Sequence, residues 1–213
     1  MLHYVLIDCV SVLSLVLIWG ALSVALAKKK RVKIGIGHVI GIVIFSFYLI
    51  IVFDVVGIPN ITYIKEIDLA HYNLIPFADY FRRPTGYIQN VLLFIPMGFM
   101  LPMLWVRNQR FFKVFFFSIG ITLFIELSQF FTYRAPDIDD LMMNALGGVT
   151  GYVLYRITNL FLHKLYNLMA LDAHTRAAGF ILRHESILVI ALVVTGLFFI
   201  KPYLSLLIAG VLF

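Results

Sequence analysis

The sequence predicts an all-α fold: a polytopic bundle of about six transmembrane helices. The composition indicates this first, since 62% of the 213 residues are hydrophobic and only 13% are charged. The mean hydropathy of +0.98 is likewise typical of a membrane protein and not of a soluble domain. Apolar runs near the length of about 20 residues that crosses a bilayer recur along the chain. They cover approximately residues 4–26, 34–56, 87–106, 111–131, 138–160 and 186 onward.

The first apolar run is predicted to be a retained helix. A cleaved signal peptide carries its positive charges before the apolar stretch, whereas the basic cluster KKKRVK at residues 28–33 follows it. The run contains Cys9, the one cysteine in the sequence, so an intramolecular disulfide is excluded. No repeat and no flexible linker divides the sequence, and residues 1–213 are therefore expected to form a single transmembrane domain.

The distribution of basic residues predicts the orientation in the membrane. Most of the 17 lysines and arginines lie between the first and second runs, between the third and fourth, or between the fifth and sixth. Segments rich in Lys and Arg stay in the cytoplasm, so both termini and the segments 57–86 and 132–137 are expected outside. Because topology accounts for the net charge of +6, the basic excess does not indicate nucleic-acid binding.

The long outer segment between the second and third helices, residues 57–86, is too apolar for an ordinary solvated loop. Its aromatic residues favour the headgroup region of the bilayer. They include Tyr63, Tyr72, Phe77 and Tyr80. We expect this segment to lie in the membrane interface, as a lid or a lateral entrance.

The last run, residues 186–213, is longer than a bilayer requires, since 28 helical residues would span about 42 Å against a core of about 30 Å. Lys201-Pro202 is predicted to kink or break this helix. Lys201 should pair with Asp8 or Asp54, because an isolated charge in the membrane is costly.

The fourth and fifth runs each carry polar residues at helical spacing. The face of the fourth carries Ser118, Thr122, Glu126, Gln129 and Tyr133. The face of the fifth carries Asp140, Asn144, Gly147 and Gly151. Such polar faces would be costly against lipid, so both are expected to point into the bundle. The two glycines form a small-xxx-small pair, which allows close contact with another helix.

The third run adds polar residues at the same level, Gln89 and Asn90. Pro96 leaves the carbonyl group of Leu92 without its helical donor, and is expected to open space beside Asn90. Together the three runs predict an outward-facing polar pocket. Its ligand-binding residues are predicted to be Asn90, Glu126, Gln129, Arg134, Asp137, Asp140 and Asn144.

Four sequence blocks give the chain a resemblance to a known family. They are NLIPF (73–77), NVLLFIPMGF (90–99), IELSQ (125–129) and DIDDLMMNALGGVTGY (137–152). In this order and spacing they resemble the VanZ family of bacterial membrane proteins, within about residues 50–160. Members are associated with resistance to teicoplanin and related lipoglycopeptides, antibiotics that bind cell-wall precursors outside the membrane. The resemblance implies a role at the outer leaflet, in the cytoplasmic membrane of a Gram-positive bacterium.

Several site residues admit a structural as well as a functional interpretation. Asp137 and Asp139 suit capping of the fifth helix and its dipole, whereas Asp140 shares the inward face with Asn144. Glu126 is either a functional carboxylate or a neutral group that hydrogen-bonds its amide neighbours.

Charged groups near the pocket allow more than one kind of ligand. Arg82, Arg83 and Arg134 either clamp a phosphate of a lipid carrier, or extend to phospholipid headgroups and nearby acids. Carboxylate oxygens suit Mg²⁺, and the weak candidate ligands are Glu126, Asp137 and Asp140. The 6 histidines show no spacing typical of a zinc site.

Three functions remain open from the sequence. The first is binding of a lipid or lipid-linked cell-wall precursor, which would lower lipoglycopeptide susceptibility. The second is an enzyme that modifies a lipid-linked envelope substrate, with Glu126 and Asp140 as acid and base or as metal ligands. The third is a flippase or transporter with Glu126 as a proton relay, although no inverted repeats are visible. No HExxH, GxSxG or P-loop motif decides whether the protein is an enzyme.

Overall fold

The computed structural model describes residues 2–62, 64, 73, 75–77, 84–132, 136–173 and 178–211, and the regular elements in this part of the chain are helical. The long helices are α1 (Leu2–Lys30), α2 (Ile36–Val56), α3 (Pro84–Leu104), α4 (Phe111–Gln129) and α5 (Ile138–Met169). A 3₁₀ turn (Val106–Asn108) joins α3 to α4. The short α6 (Gly179–Arg183) precedes α7 (Glu185–Thr195), a π-helical turn (Gly196–Ile200) and α8 (Lys201–Val211). The predicted all-α fold is confirmed.

Five stretches of the described residues are long and apolar enough to cross a membrane. They are Leu6–Lys30, Ile36–Val56, Pro84–Leu104, Phe111–Gln129 and Glu185–Ile208. The predicted fifth run is also helical, but it is more polar than these and forms part of the 32-residue α5. That helix continues past residue 160 and bends at Leu162 (φ −108°, ψ 16°). The bundle thus combines five apolar stretches with one long, more polar helix that packs against α3 and α4.

The backbones of α3 and α5 touch through glycine. A Cβ atom added to Gly147 would overlap the carbonyl oxygen of Val91, and one added to Gly151 would overlap that of Ile95. Any side chain at these two positions would therefore push the helices apart. The predicted small-residue face of the fifth helix is confirmed, and the contact holds the start of α5 against the start of α3.

The last run continues through Lys201-Pro202, but its helical geometry changes just before that point. The π-helical turn Gly196–Ile200 connects α7 to α8. Pro202 has no N–H to donate to the carbonyl oxygen of Phe198, four residues earlier. The backbone N–H of Ile61 donates to that oxygen instead, at 3.2 Å. The predicted distortion takes the form of a π-helical turn, and the segment after α2 is tied to the last helix.

Lys201 forms the predicted ion pair. Its Nζ atom lies 2.8 Å from Oδ1 of Asp8 and 3.6 Å from Oδ1 of Asp54. The Asp8 side chain is only 3% exposed, so its charge is balanced by Lys201 within the packed bundle. The three residues join α1, α2 and α8.

A second buried polar cluster was not predicted from the sequence, and it lies at the other end of α2. Glu185, at the start of α7, accepts hydrogen bonds from Nε1 of Trp19 (3.1 Å) and of Trp105 (3.0 Å). Nε2 of His38 lies 2.8 Å from the same carboxylate, and its Nδ1 lies 2.9 Å from the carbonyl oxygen of Met169. The side chains of Glu185 and His38 are fully buried. The cluster links α1, α2, α5 and α7.

Candidate functional site

A polar cavity of about 500 Å³ lies where α2 and α4 end and α3 and α5 begin. It is lined by Val55, Val56, Gln89, Asn90, Leu92, Leu93, Ile125, Glu126, Gln129, Asp140 and Asn144. The structure therefore brings five of the predicted ligand-binding residues together around one space. These are Asn90, Glu126, Gln129, Asp140 and Asn144.

The polar face of α4 supplies one wall of the cavity. The polar residues of this face follow one another at intervals of four, four and three residues, which places them on one side of a helix. All of them are buried: Ser118 (0% exposed), Thr122 (0%), Glu126 (6%) and Gln129 (3%). The face points into the bundle, as predicted, and Tyr133 lies outside the described residues. Ser118 and Thr122 do not line the cavity, so the buried polar face of α4 is longer than the part that the cavity reaches.

Glu126 is joined to the start of α5. The backbone N–H of Asp137 donates to Oε2 of Glu126 at 2.8 Å. The Asp137 side chain is the N-cap of α5, since it accepts a hydrogen bond from the backbone N–H of Asp139 at 2.9 Å. The same carboxylate accepts from Nδ2 of Asn73 at 3.3 Å. Asp137 thus organises the helix start, and its side chain does not line the cavity.

Asp139 is 2% exposed and binds the segment before α3. Its two carboxylate oxygens accept from the backbone N–H of Phe77 at 2.8 and 3.0 Å, and one of them also accepts from the Tyr87 hydroxyl. The rings of Phe77 and Tyr87 stack with centroids 6.2 Å apart. Phe77 adopts a left-handed φ of 60°, which a bulky residue adopts only when its surroundings impose it. Asp139 therefore fixes Phe77 and Tyr87 next to the start of α5.

Two amide groups in the lining have fixed orientations. Nδ2 of Asn90 donates to Oδ1 of Asp140, and Nε2 of Gln129 donates to the carbonyl oxygen of Val56 at 3.3 Å. These bonds leave the amide oxygens of Asn90 and Gln129 as acceptors. Within the described part of the chain, Oε1 of Gln129 and Oδ1 of Asn144 accept no hydrogen bond. The cavity is consequently rich in acceptor oxygens.

One margin of the cavity lies on the apolar outer surface of the bundle. Val55 of α2 is 54% exposed and Leu92 of α3 is 59% exposed, although both line the cavity. Further along the same two helices, the Tyr48 hydroxyl donates to the carbonyl oxygen of Leu93 at 2.7 Å. That bond lies in the turn of α3 whose helical bonding Pro96 interrupts. A hydrogen bond therefore joins α2 to α3 next to Leu92 at this margin.

The positions of the acidic side chains give little support to a metal site. Among the described residues, no group of three or more His, Cys, Asp or Glu side chains is placed to hold a metal ion. Of the weak candidates, Asp137 uses its carboxylate as a helix cap, which leaves Glu126 and Asp140 in the cavity lining. A cation here would also need amide oxygens or water as ligands.

The arginines predicted to contact phosphate, Arg82, Arg83 and Arg134, lie outside the described residues. Sequence periodicity also missed the groups that join the blocks to one another, such as Asn73 and Tyr87. The NLIPF block was the one sequence feature that marked this segment as part of the site. In the structure its first residue contacts Asp137 and its last contacts Asp139. The ordered blocks of the sequence therefore meet in space at the start of α5.

Comparison with known proteins gives the same assignment as the sequence blocks. The chain matches the VanZ/LLP1 family over residues 36–161, which include all the residues that line the cavity. It is 36% identical over 92 residues to "Protein VanZ" of Enterococcus faecium, and this match covers 41% of the chain and 53% of that relative. The match thus spans about half the length of the curated relative. No solved structure matches the chain. Since the family match extends over more than half of the sequence, the chain belongs to the VanZ/LLP1 family.

Proposed function

We propose that this membrane protein binds an outer-leaflet lipid or a lipid-linked cell-wall precursor in the polar cavity, and so lowers susceptibility to teicoplanin and related lipoglycopeptides. The observation that carries the proposal is the cavity itself, which combines buried polar groups with an apolar margin at Val55 and Leu92. A ligand with a polar head and a hydrocarbon chain fits this arrangement. Its head would enter between the helices while its chain stays in the bilayer.

Energetics favour a binding role for the lining. Each buried polar atom without a partner costs about 1–3 kcal/mol, and such groups inside a membrane usually serve function. Gln129 and Asn144 each leave an oxygen without a donor in the described structure. A ligand that supplies donors would recover part of this free energy. The connection to teicoplanin comes from the family resemblance, and the outward orientation of the cavity comes from the distribution of basic residues.

Glu126→Gln tests the proposal with little structural change, because glutamine keeps an oxygen that can accept from the backbone N–H of Asp137. A susceptible Gram-positive host would carry the wild type, Glu126→Gln, Thr150→Val or an empty vector, with membrane levels matched by immunoblot. Thr150 lies on α5 and its hydroxyl bonds its own helix at Leu146, so Thr150→Val is a matched control outside the cavity.

Teicoplanin inhibitory concentration is the readout. We expect the wild type and Thr150→Val to protect and Glu126→Gln to lose protection. Equal protection by Glu126→Gln would show that Glu126 has a structural role, through its bond to the start of α5, and is not required for protection. A second readout is mass spectrometry of lipids that copurify with the protein, and an absence of any selectively enriched lipid would refute binding. Recovery of a chemically altered lipid would favour the enzyme alternative.

A further inference from the structure

The chemistry of the cavity lining selects one class of headgroup. Building on the proposed function, we infer that the cavity recognises a primary ammonium group carried by a membrane amphiphile. The inference comes from the acceptor oxygens of Gln129 and Asn144, which are both buried in the wall of the cavity. It deepens the proposed function, since it names the chemical group that the same site receives.

Gln129 provides the firmest constraint. Its amide nitrogen donates to the carbonyl oxygen of Val56, and this bond fixes the orientation of the amide group. The other atom of the amide is therefore the oxygen Oε1, which can only accept a hydrogen bond. Gln129 is 3% exposed, and within the described residues Oε1 receives no hydrogen bond. Buried acceptors in native proteins are nearly always satisfied. The missing donor is therefore expected to come from a ligand.

Asn144 repeats the pattern on the neighbouring helix. It is 2% exposed, and its Oδ1 atom also lacks a donor in the described part of the chain. Gln129 belongs to α4 and Asn144 to α5, so the two oxygens approach the cavity from different walls. A headgroup with several N–H donors can bond to both walls at once, whereas a single hydroxyl donor cannot.

The other lining groups point to the same class of ligand. Glu126 and Asp140 add carboxylate oxygens, which accept hydrogen bonds, to the lining. The donor group of Asn90 is used on Asp140. A primary ammonium carries three donors and a positive charge, and so complements this lining. An ionised phosphate group offers only acceptors, so it could not supply the donors that the oxygens of Gln129 and Asn144 lack.

The apolar margin explains why the ligand is an amphiphile. Val55 and Leu92 line the cavity and are more than half exposed on the outer surface of the helices. A chain attached to the bound headgroup would leave the cavity beside them and remain in hydrocarbon. A water-soluble amine would gain nothing from this margin.

A methylation series provides the test. The purified protein in a non-ionic detergent would be mixed with phosphatidylethanolamine, its N-methyl and N,N-dimethyl forms, and phosphatidylcholine, all with the same acyl chains. The positive charge is constant along the series while the number of N–H donors falls from three to none. Native mass spectrometry would measure the retained lipid. We expect binding to weaken stepwise, by about tenfold or more between the first and last lipids.

Three variants locate the effect. Asn144→Leu and Gln129→Met remove the acceptors at similar side-chain volume and should flatten the preference along the series. Asn144→Leu is the safer variant, because no hydrogen bond of the Asn144 side chain is seen among the described residues. Thr150→Val should keep the wild-type preference. Size-exclusion profiles would confirm that each variant remains folded.

The outcomes separate the inference from the proposed function. A graded preference that Asn144→Leu abolishes supports the ammonium site. Equal retention of all four lipids would overturn the inference and leave lipid binding intact, and retention of none would also overturn the inference. The proposed function fails separately, if no lipid or lipid-linked precursor is selectively enriched with the purified protein. Glycerophosphoethanolamine, the soluble headgroup, serves as a competitor. Displacement of lipid by this compound at equal concentration would overturn the requirement for an attached chain.

Discussion

Oε2 of Glu126, about one turn before the end of α4, lies 2.8 Å from the backbone nitrogen of Asp137 at the start of α5. The carboxylate therefore satisfies an N–H group at a helix N-terminus, where intrahelical partners are missing. One residue of the cavity wall thus also connects two helices. Any study of Glu126 must separate this structural bond from a role toward ligand.

Replacement of Glu126 by alanine and by glutamine makes that separation. Alanine removes the acceptor, so we expect it to lower the free energy of unfolding by about 1–3 kcal/mol. Glutamine keeps an acceptor oxygen and should remain close to the wild type. The thermal unfolding midpoint in detergent is the measurement. Equal midpoints for the two variants would show that the bond to Asp137 contributes little to stability.

Gly98→Ala tests the backbone contact between α3 and α5. A Cβ atom at Gly98 would overlap the carbonyl group of Gly148, and backbone cannot move aside as a flexible side chain can. We expect a loss of about 1–3 kcal/mol or failure to fold, as in other overpacked cores. Gly120→Ala is the matched control, since nothing lies within 4 Å of its Cβ position. A similar loss in both variants would attribute the effect to the helix and not to the contact.

The elements that the sequence predicted well are those governed by helical periodicity. Polar residues at Thr122, Glu126 and Gln129 share a face, and the bilayer penalises any orientation of that face except inward. Gly147 and Gly151 follow the same logic for close packing. Local spacing is sufficient for such predictions because one helix carries all the residues concerned.

Contacts between distant segments could not be predicted in this way. Asp139 accepts from the backbone of Phe77, 62 residues earlier, and no local pattern marks the partner of a carboxylate. Glu185 resembles an ordinary acidic residue at a helix start, yet it is fully buried. Its partners Trp19 and Trp105 come from other parts of the chain. Lys201 allowed the prediction of a specific long-range pair, because an isolated charge in a membrane requires a counter-charge.

Lys201→Met tests the ion pair with Asp8. The Asp8 side chain is 3% exposed, so removal of its partner would leave a buried charge without compensation. We expect a loss of up to about 3–5 kcal/mol, the range for breaking one side of a buried pair. The double variant Asp8→Asn with Lys201→Met removes both charges and should regain much of the stability. Unfolding midpoints of the two single variants and the double variant complete the cycle, and strict additivity would show that the residues do not interact.

Glu185→Gln tests whether the buried cluster requires a carboxylate. Trp19 donates to Oε1 and Trp105 donates to Oε2, so both oxygens are used by groups that can only donate. A glutamine has one oxygen and one NH₂ group, and either orientation of the amide places that NH₂ against an indole N–H. We therefore expect a loss of about 1–3 kcal/mol in the free energy of unfolding. The protein has 2 tryptophans, and both take part in this cluster, so their fluorescence emission should change as well. An unchanged midpoint together with unchanged emission would contradict the assignment, because one indole must lose its acceptor in this variant.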